Sequence, residues 1–300
     1  MNLFNKQINN WQDWEAIFQS ISVFASLIEH IIKHEKLPFA KIENLTPGTN
    51  AVFKVGGYVV KIFAPKESGF NFIYDMETEL FATTRAYTLS ISVPKVIASG
   101  VVEDKYQFAY IIFEYIDGKE FTEAVKTMTD TEKNLFGQKL RLICDKMNTS
   151  CEPFNGIDII NDKDRQTRWD KYPEKFKKER AEYIRTHDFG KKVFVHGDIG
   201  GDNIIISADG EIYLIDFADA VLAPIEYEHE LIAIDVFNFD PALLQGFFGS
   251  YITDGLTELC FNGLLIHDFG ADTIEEHLAK PCDFQCLDDL RKAIEQKIKK

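Results

Sequence analysis

The sequence predicts an α+β protein of two lobes, a small antiparallel sheet with a helix against it and a larger, mostly helical lobe. Three observations carry that expectation. Short β-branched and aromatic runs punctuated by Gly and Pro fill much of the first third, and helical apolar spacing takes over beyond Asp117-Gly118. The 300 residues, 45% hydrophobic and 27% charged, are enough to bury sizeable cores. The expected organisation is an N-terminal amphipathic helix within 1–36, a sheet lobe over 37–117 and a helical lobe over 118–300.

Taken in order, Trp11, Trp14, Phe18, Ile21, Phe24, Ile28 and Ile31 recur every three or four residues, which predicts one amphipathic helix over 8–32. Its polar face carries few basic residues, so it is expected to pack on the chain's own core rather than on a membrane. Residues 51–63 read as two short strands joined at Gly56-Gly57. A helix follows over about 75–89, then strands over 93–100 and 108–115, and Asp117-Gly118 closes the sheet with a turn. Leu135, Phe136, Leu140, Ile143 and Met147 give helical spacing to 120–150. Residues 161–192 hold eleven basic and seven acidic side chains and read as exposed helix and loop. Brief strand signals return at 193–195, 203–206 and 211–215, the last two joined by Ala208-Asp209-Gly210. From Glu226 onward the pattern is helical.

The formal charge of −15 argues against a phosphate-backbone binder, so no nucleic-acid partner is expected. It divides into −3 for residues 1–118 and −12 for 119–300, and residues 193–279 contain seventeen acids with no Lys or Arg. Such a stretch attracts cations, unless it is a solvated surface kept for solubility. The five cysteines show neither a disulfide framework nor a four-ligand zinc spacing. With no signal-peptide layout and no long apolar run, a cytoplasmic protein with reduced thiols and no membrane partner is expected.

The sharpest chemical signal is Val195-His196-Gly197-Asp198-Ile199-Gly200-Gly201-Asp202-Asn203, followed after a hairpin by Ile215-Asp216-Phe217. Phosphoryl transfer from a nucleoside triphosphate needs a carboxylate to orient and deprotonate the attacking hydroxyl, and oxygen ligands for magnesium. Asp198 suits the first role and Asn203 with Asp216 the second. A hairpin between the two ligands would return them to one edge.

These residues resemble the aminoglycoside phosphotransferase and choline-kinase-like family, distant relatives of the protein kinases. The family's His-Gly-Asp-x-x-x-x-Asn loop is matched in full by residues 196–203, Asp216-Phe217 matches its metal-binding strand end, and Glu226-Tyr227-Glu228 is similar to the acidic element that follows. The resemblance spans about residues 42–260 and is specific mainly at 195–220. It implies a protein-kinase-like bilobal fold that uses ATP or GTP with Mg²⁺. It further implies that Gly48, Thr49 and Asn50 belong to the phosphate-covering loop, although residues 45–53 hold a single glycine. By the same resemblance Lys61 would grip phosphates with Glu79 as its helix partner, Glu77 being the rival. Glu114 and Ile116 would hold the base through backbone groups. Without the downstream motif, a lysine snorkelling from a strand edge is the favoured reading of Lys61.

The departures bear on the acceptor. Gly200 stands where serine/threonine protein kinases place Lys, Ala218 replaces the Gly of Asp-Phe-Gly, and no Ala-Pro-Glu follows, so a small-molecule hydroxyl is expected. Asn148 stands where many relatives have His. The acidity points to a cationic acceptor, an aminoglycoside foremost, with Glu226, Glu228, Glu230 and Asp235 as substrate-side candidates. Choline, ethanolamine, a sugar and an amino-sugar are the alternatives, as is a nucleotide-binding module without transfer activity. Phe237, Phe239, Phe247, Phe248 and Tyr251 would supply an aromatic cage for choline. No protein partner is implied.

Overall fold

The computed structural model describes residues 3–69, 72–161, 166–249 and 254–299. The chain divides into two compact units, Met1–Asp117 and Gly118–Lys300.

The first unit is built on an antiparallel sheet of five strands: β1 (Ile42–Asn44), β2 (Ala51–Val55), β3 (Tyr58–Ile62), β4 (Val96–Glu103) and β5 (Gln107–Glu114), in the order β1-β2-β3-β5-β4. Gly56, at φ 62°, makes the β2–β3 turn that pairs Val55 with Tyr58. β4 begins later than its apolar pattern suggests, because Pro94 has no N–H to give a ladder. β1, with one apolar residue in three, is too short to show a period.

Both faces of this sheet are covered, which is why β5 is buried at every residue from Phe108 to Phe113 instead of alternating. On one face Val60, Ile62, Phe108, Tyr110 and Ile112 pack with Phe4, Ile8, Trp14, Phe24, Leu27, Ile28, Ile31 and Ile32 from the N-terminal segment. On the other, Phe63, Ala109, Ile111 and Phe113 meet Met76 and Leu80 of the helix Phe72–Thr88. The single N-terminal helix expected over 8–32 is two, Trp11–Glu15 and Ile21–His34. Asn10 caps the first by accepting from the Asp13 N–H, and the backbone turns extended at Ser20, φ −87° and ψ 102°, before the second begins. The apolar period runs through that break, so spacing alone does not reveal it. Tyr110 donates its hydroxyl to Glu35 and ties the end of the second helix to the sheet; burial and this contact push the phenol pKa up.

In the second unit the long helix Asp130–Met147 opens with a reciprocal capping box between Thr129 and Glu132. It lies against Pro241–Phe248 at backbone contact: a Cβ at Gly246 would stand 2.1 Å from the Asn134 carbonyl oxygen, and one at Gly137 2.6 Å from that of Leu243. Three strands, β6 (Gly118–Glu120), β8 (Ile204–Ser207) and β9 (Ile212–Leu214), form one small sheet, and β7 (Val193–Val195) with β10 (Val221–Ala223) forms another. Residues 161–192 depart from the expectation of an exposed stretch. Among their described residues, Trp169, Tyr172 and Phe176 are buried, and the Arg180 guanidinium lies 3.9 Å from the Trp169 ring centre and donates to the Leu265 carbonyl. Burial lowers the Arg180 pKa to about 9. Charges on the outer face hid an inner aromatic stripe at 169, 172 and 176. Among the described residues no helix is long and apolar enough to cross a membrane.

The Gly246 contact gives a direct test of the packing. Gly246→Ala should lower the urea midpoint by the equivalent of at least about 1–3 kcal/mol. Gly48→Ala, where an added Cβ meets nothing within 4 Å, should leave the midpoint in place.

Candidate active site

The second unit assembles the His-Gly-Asp loop from a strand that ends, a strand that begins and a helix beneath. β7 delivers His196, the loop runs to Asn203, and β8 departs from Ile204. Ile204 pairs with Leu214 across β8–β9, and the Ile215 N–H donates to the Asn203 carbonyl at 3.0 Å, so Asn203 and Asp216 return to one end of the hairpin. Asp216 has φ 61°, an uncommon conformation for a non-glycine residue and one that concentrates at functional sites.

His196 is fully buried and couples the loop to that strand end. Its Nδ1 faces the Asp198 N–H at 3.4 Å, so Nδ1 accepts and the proton sits on Nε2, which donates to the Ile215 carbonyl at 2.9 Å. Its ring lies 4.3 Å from that of Phe217. Gly197 has φ 88°, and a Cβ there would fall 1.9 Å from the Asp219 carbonyl oxygen; only glycine fits. Asn203 Nδ2 donates to the Asp198 carbonyl at 2.8 Å and to Asp198 Oδ2 at 3.2 Å. With the amide nitrogen so used, Asn203 Oδ1 is the oxygen left for a cation.

Beneath the loop lies Glu228, on the helix Glu226–Leu231, with no exposure. Its carboxylate accepts from the backbone N–H groups of His196 and Gly197 and, at 2.8 Å, from Asn148 Nδ2, which also reaches the Phe194 carbonyl at 3.1 Å. Burial raises the Glu228 pKa to about 7 while these three donors pull it down. Glu228 therefore holds the loop from below and does not face a substrate. Asn148, a departure from the relatives' pattern, is the side chain that satisfies it.

The electrostatics of the site are lopsided. Burial raises the Asp198 pKa to about 7, and the negative charges of Asp219, Asp216, Asp202 and Asp235 push the same way. Among the described residues no three His, Cys, Asp or Glu side chains form a ready-made metal cage. A divalent ion that takes one or two protein oxygens and completes its shell with phosphate and water needs no such cage, so Asn203 and Asp216 fit that donor set.

The four substrate-side candidates separate. Glu230 is also fully buried, both its oxygens lack hydrogen-bond partners, and burial, reinforced by Asp235, holds its carboxyl well above the usual range. Glu228 and Glu230 are thus interior groups, because their helix turns them into the core. Glu226 is half-buried. Asp235, in the π-helical turn Ile232–Val236, lies beside the loop, its Oδ2 3.7 Å from where a Gly200 Cβ would stand, and its Oδ1 meets His277 Nε2 at 3.2 Å. Phe237, Phe239, Phe247 and Phe248 are core residues, and Tyr251 lies outside the described residues. Asp202, Asp219 and His277 were singled out by no motif; the first two showed only as members of an acidic stretch.

That stretch is less bare than it reads. Lys133 pairs with Asp240 at 2.5 Å, Lys171 with Asp272 at 2.5 Å and Glu275 at 2.6 Å, Arg168 with Asp268 at 3.6 Å, and Arg291 with Glu258 at 2.9 Å. Neutralising bases arrive from elsewhere in the unit.

In the first unit Lys61 and Glu79 form a buried ion pair at 2.7 Å, their side chains 5% and 2% exposed, whereas Glu77 is exposed. Asp75, one helical turn before Glu79 and unmarked by the sequence, shares this environment: burial raises its pKa while the Lys61 charge lowers it. Gly48 and Thr49 lie between β1 and β2, and Asn50 immediately precedes β2. Glu114 ends β5, and Ile116 follows it half-buried.

No curated protein sequence matches the chain significantly. Among solved structures, the streptomycin–ATP ternary complex of APH(2")-IIa aligns with a TM-score of 0.56 and 18% identity over 84% of this chain and 92% of that one. The GDP complex of aminoglycoside 2'-phosphotransferase-IIIa aligns at 0.59 and 14%, over 92% and 98%. Choline kinase LicA from Streptococcus pneumoniae aligns at 0.56 and 16%, over 91% and 96%. At these identities the likeness establishes a kinase-like fold of the kind the sequence resembles. The model of the phosphotransferase enzyme family matches residues 43–261, nearly three quarters of the chain, and with the loop, strand end and ion pair all inside that span, this protein belongs to the phosphotransferase enzyme family.

Proposed function

We propose that this phosphotransferase is a small-molecule kinase that transfers the γ-phosphate of ATP or GTP to a hydroxyl of a cationic acceptor, an aminoglycoside being the class that fits best. The observation that carries this reading is the gathering of Asp198, Asp202, Asp216, Asp219 and Asp235 near one loop, with the Asp198 pKa raised to about 7. Like charges gathered so closely favour a cation beside them. Mg²⁺ is one, and an acceptor bearing ammonium groups is another. Similar structures of aminoglycoside phosphotransferases with ATP or GDP bound support the same class.

In this reading Asp198 accepts a hydrogen bond from the acceptor hydroxyl, orients it in line with the γ-phosphate and takes its proton as the new P–O bond forms and the bond to the β-phosphate oxygen breaks, releasing ADP or GDP. Asn203 holds Asp198 in place through its Nδ2 and, with Asp216, would hold Mg²⁺, which when bound neutralises charge on the phosphate oxygens. Lys61, kept in place by Glu79, would contact phosphate oxygens, Gly48, Thr49 and Asn50 would cover them, and the backbone at Glu114 and Ile116 would receive the base. Asp235 and Glu226 remain the acceptor-side carboxylates.

Choline kinases among the neighbours sustain a second reading, a smaller amino alcohol as acceptor. The burial of Phe237, Phe239, Phe247 and Phe248 favours the polycation, since a quaternary ammonium calls for exposed rings. A nucleotide-binding module without transfer would have no use for the Asp198–Asn203 contact.

Two outcomes are expected. Asp198→Asn should lower turnover about 10²–10⁴-fold in a coupled nucleotide assay over aminoglycosides, choline, ethanolamine and sugars, with the ATP–Mg²⁺ thermal shift retained. Unchanged phosphorylation would sink the assignment, and a thermal shift with no turnover on any alcohol would favour the binding module. The second concerns the loop anchor. Because Glu228 has a folded pKa of about 7, above its unfolded value, the native state holds the extra proton and stability falls as pH rises between roughly 4.5 and 7. Glu228→Gln should make that fall shallower by up to about 1.4 kcal/mol per pH unit in urea unfolding series. An unaltered slope would mean the carboxylate is ionised throughout.

A further inference from the structure

We propose that Trp14 is a positioning residue for the nucleotide, acting through the backbone of the 45–53 loop. Trp14 lies outside the residues matched by the family model, on the short helix Trp11–Glu15 of the N-terminal segment. It is fully buried, with its ring edge-on to Phe24 at 5.6 Å, so its rotamer is fixed by packing. Its indole Nε1–H, its only donor, is spent on the Thr49 carbonyl at 2.9 Å.

The consequence follows from peptide geometry. In a trans peptide the carbonyl and the next N–H point in opposite directions, and the described chain has no cis peptide bond. Holding the Thr49 carbonyl toward Trp14 therefore turns the Asn50 N–H the other way. The sheet says which way that is. Trp14 packs with Val60 and Ile62 on one face, while Val59 and Phe63 lie on the other with Met76 and Leu80. Side chains alternate along a strand, so Lys61 shares the face of Val59 and Phe63, where it meets Glu79. Trp14 thus takes the carbonyl to the face opposite Lys61 and leaves the Asn50 N–H toward the Lys61 side, as a phosphate oxygen held by Lys61 would require. A second tether fixes the same point: Asn50 Oδ1 accepts from the Ala64 N–H at 3.2 Å, which anchors residue 50 within the unit.

This rests on the reading of 45–53 as the phosphate-covering loop, and the test separates the two. Trp14→Phe in the full chain keeps an aromatic ring and removes the N–H. The expected result is an ATP–Mg²⁺ dissociation constant raised about fivefold in calorimetry, with adenosine, which has no phosphate, bound as before. In hydrogen exchange without nucleotide, the amides of residues 49–51 should exchange faster in the variant. Equal weakening of ATP and adenosine, or no change in either, would overturn the proposal. Should the variant fail to fold, a W11F/W169F chain leaves Trp14 as the sole indole. ATP but not adenosine should then shift its emission, and an emission indifferent to ATP would overturn the proposal. The loop reading itself fails if ATP leaves the 49–51 amides of the unsubstituted protein unprotected. The Trp14 proposal alone fails if ATP protects them equally in both proteins.

Discussion

The geometry of the His-Gly-Asp loop depends on one buried carboxylate accepting hydrogen bonds from main-chain N–H groups. Glu228 takes those of His196 and Gly197, which would otherwise be orphaned in a fully buried turn. Everything above follows from that fixed point. His196 is held so that its two ring nitrogens read the Asp198 amide and the Ile215 carbonyl, which links the loop to the strand end of Asp216. Because Glu228 is buried, its cost is met only while all three donors stay in place, and the third is Asn148. A change at position 148 is therefore a change at the loop, though the two lie 46 residues or more apart in sequence.

Charge is distributed by the same logic of compensation. The acids of 193–279 that face the outer helices are matched by Lys133, Arg168, Lys171 and Arg291, and Glu228 and Glu230 on the helix Glu226–Leu231 are buried. Near Asp198 lies a small group of carboxylates, Asp235 among them in contact with His277 Nε2. A net charge of −15 therefore overstates the reach of the acidic field, and the part that matters is short-ranged and local.

The sequence disclosed the fold where period and punctuation agreed. The β2–β3 hairpin, the helix at Phe72–Thr88 and the β8–β9 hairpin all sit within a few residues of where Gly pairs and apolar alternation put them. β1, β6 and β10 escaped: each is a three-residue segment that pairs with the edge of a partner strand. The His-Gly-Asp motif was legible because its spacing is set by one loop, and Lys61 only with that motif in hand, since a lysine in an apolar strand also reads as one snorkelling from its edge. The roles of Glu228 and Glu230 were not legible. An acidic helix turn reads as surface, and only the tertiary contacts reveal that Gly263 lets it press inward, a Cβ there falling 2.2 Å from the Glu230 Cγ. Trp14 and Thr49 are 35 residues apart, with nothing in either local pattern to join them.

Asp216 is ordered by the backbone around it. A non-glycine residue with positive φ costs about 1–3 kcal/mol and persists only where its surroundings over-determine it. At Asp216 they do. The preceding carbonyl is held by His196, the following Phe217 is buried against the same imidazole, and the turn closes through the Ala220 N–H on the Phe217 carbonyl at 3.2 Å. Gly197, with no Cβ, lets the His-Gly-Asp loop approach the Asp219 carbonyl, so the two segments cannot move apart without breaking each other's contacts. The carboxylates are consequently brought together in a fixed frame, like charges and all, and the repulsion so stored is relieved when cations enter. If the site takes cations as proposed, this fixed arrangement of like charges is what would favour them, even where no single carboxylate is optimally placed.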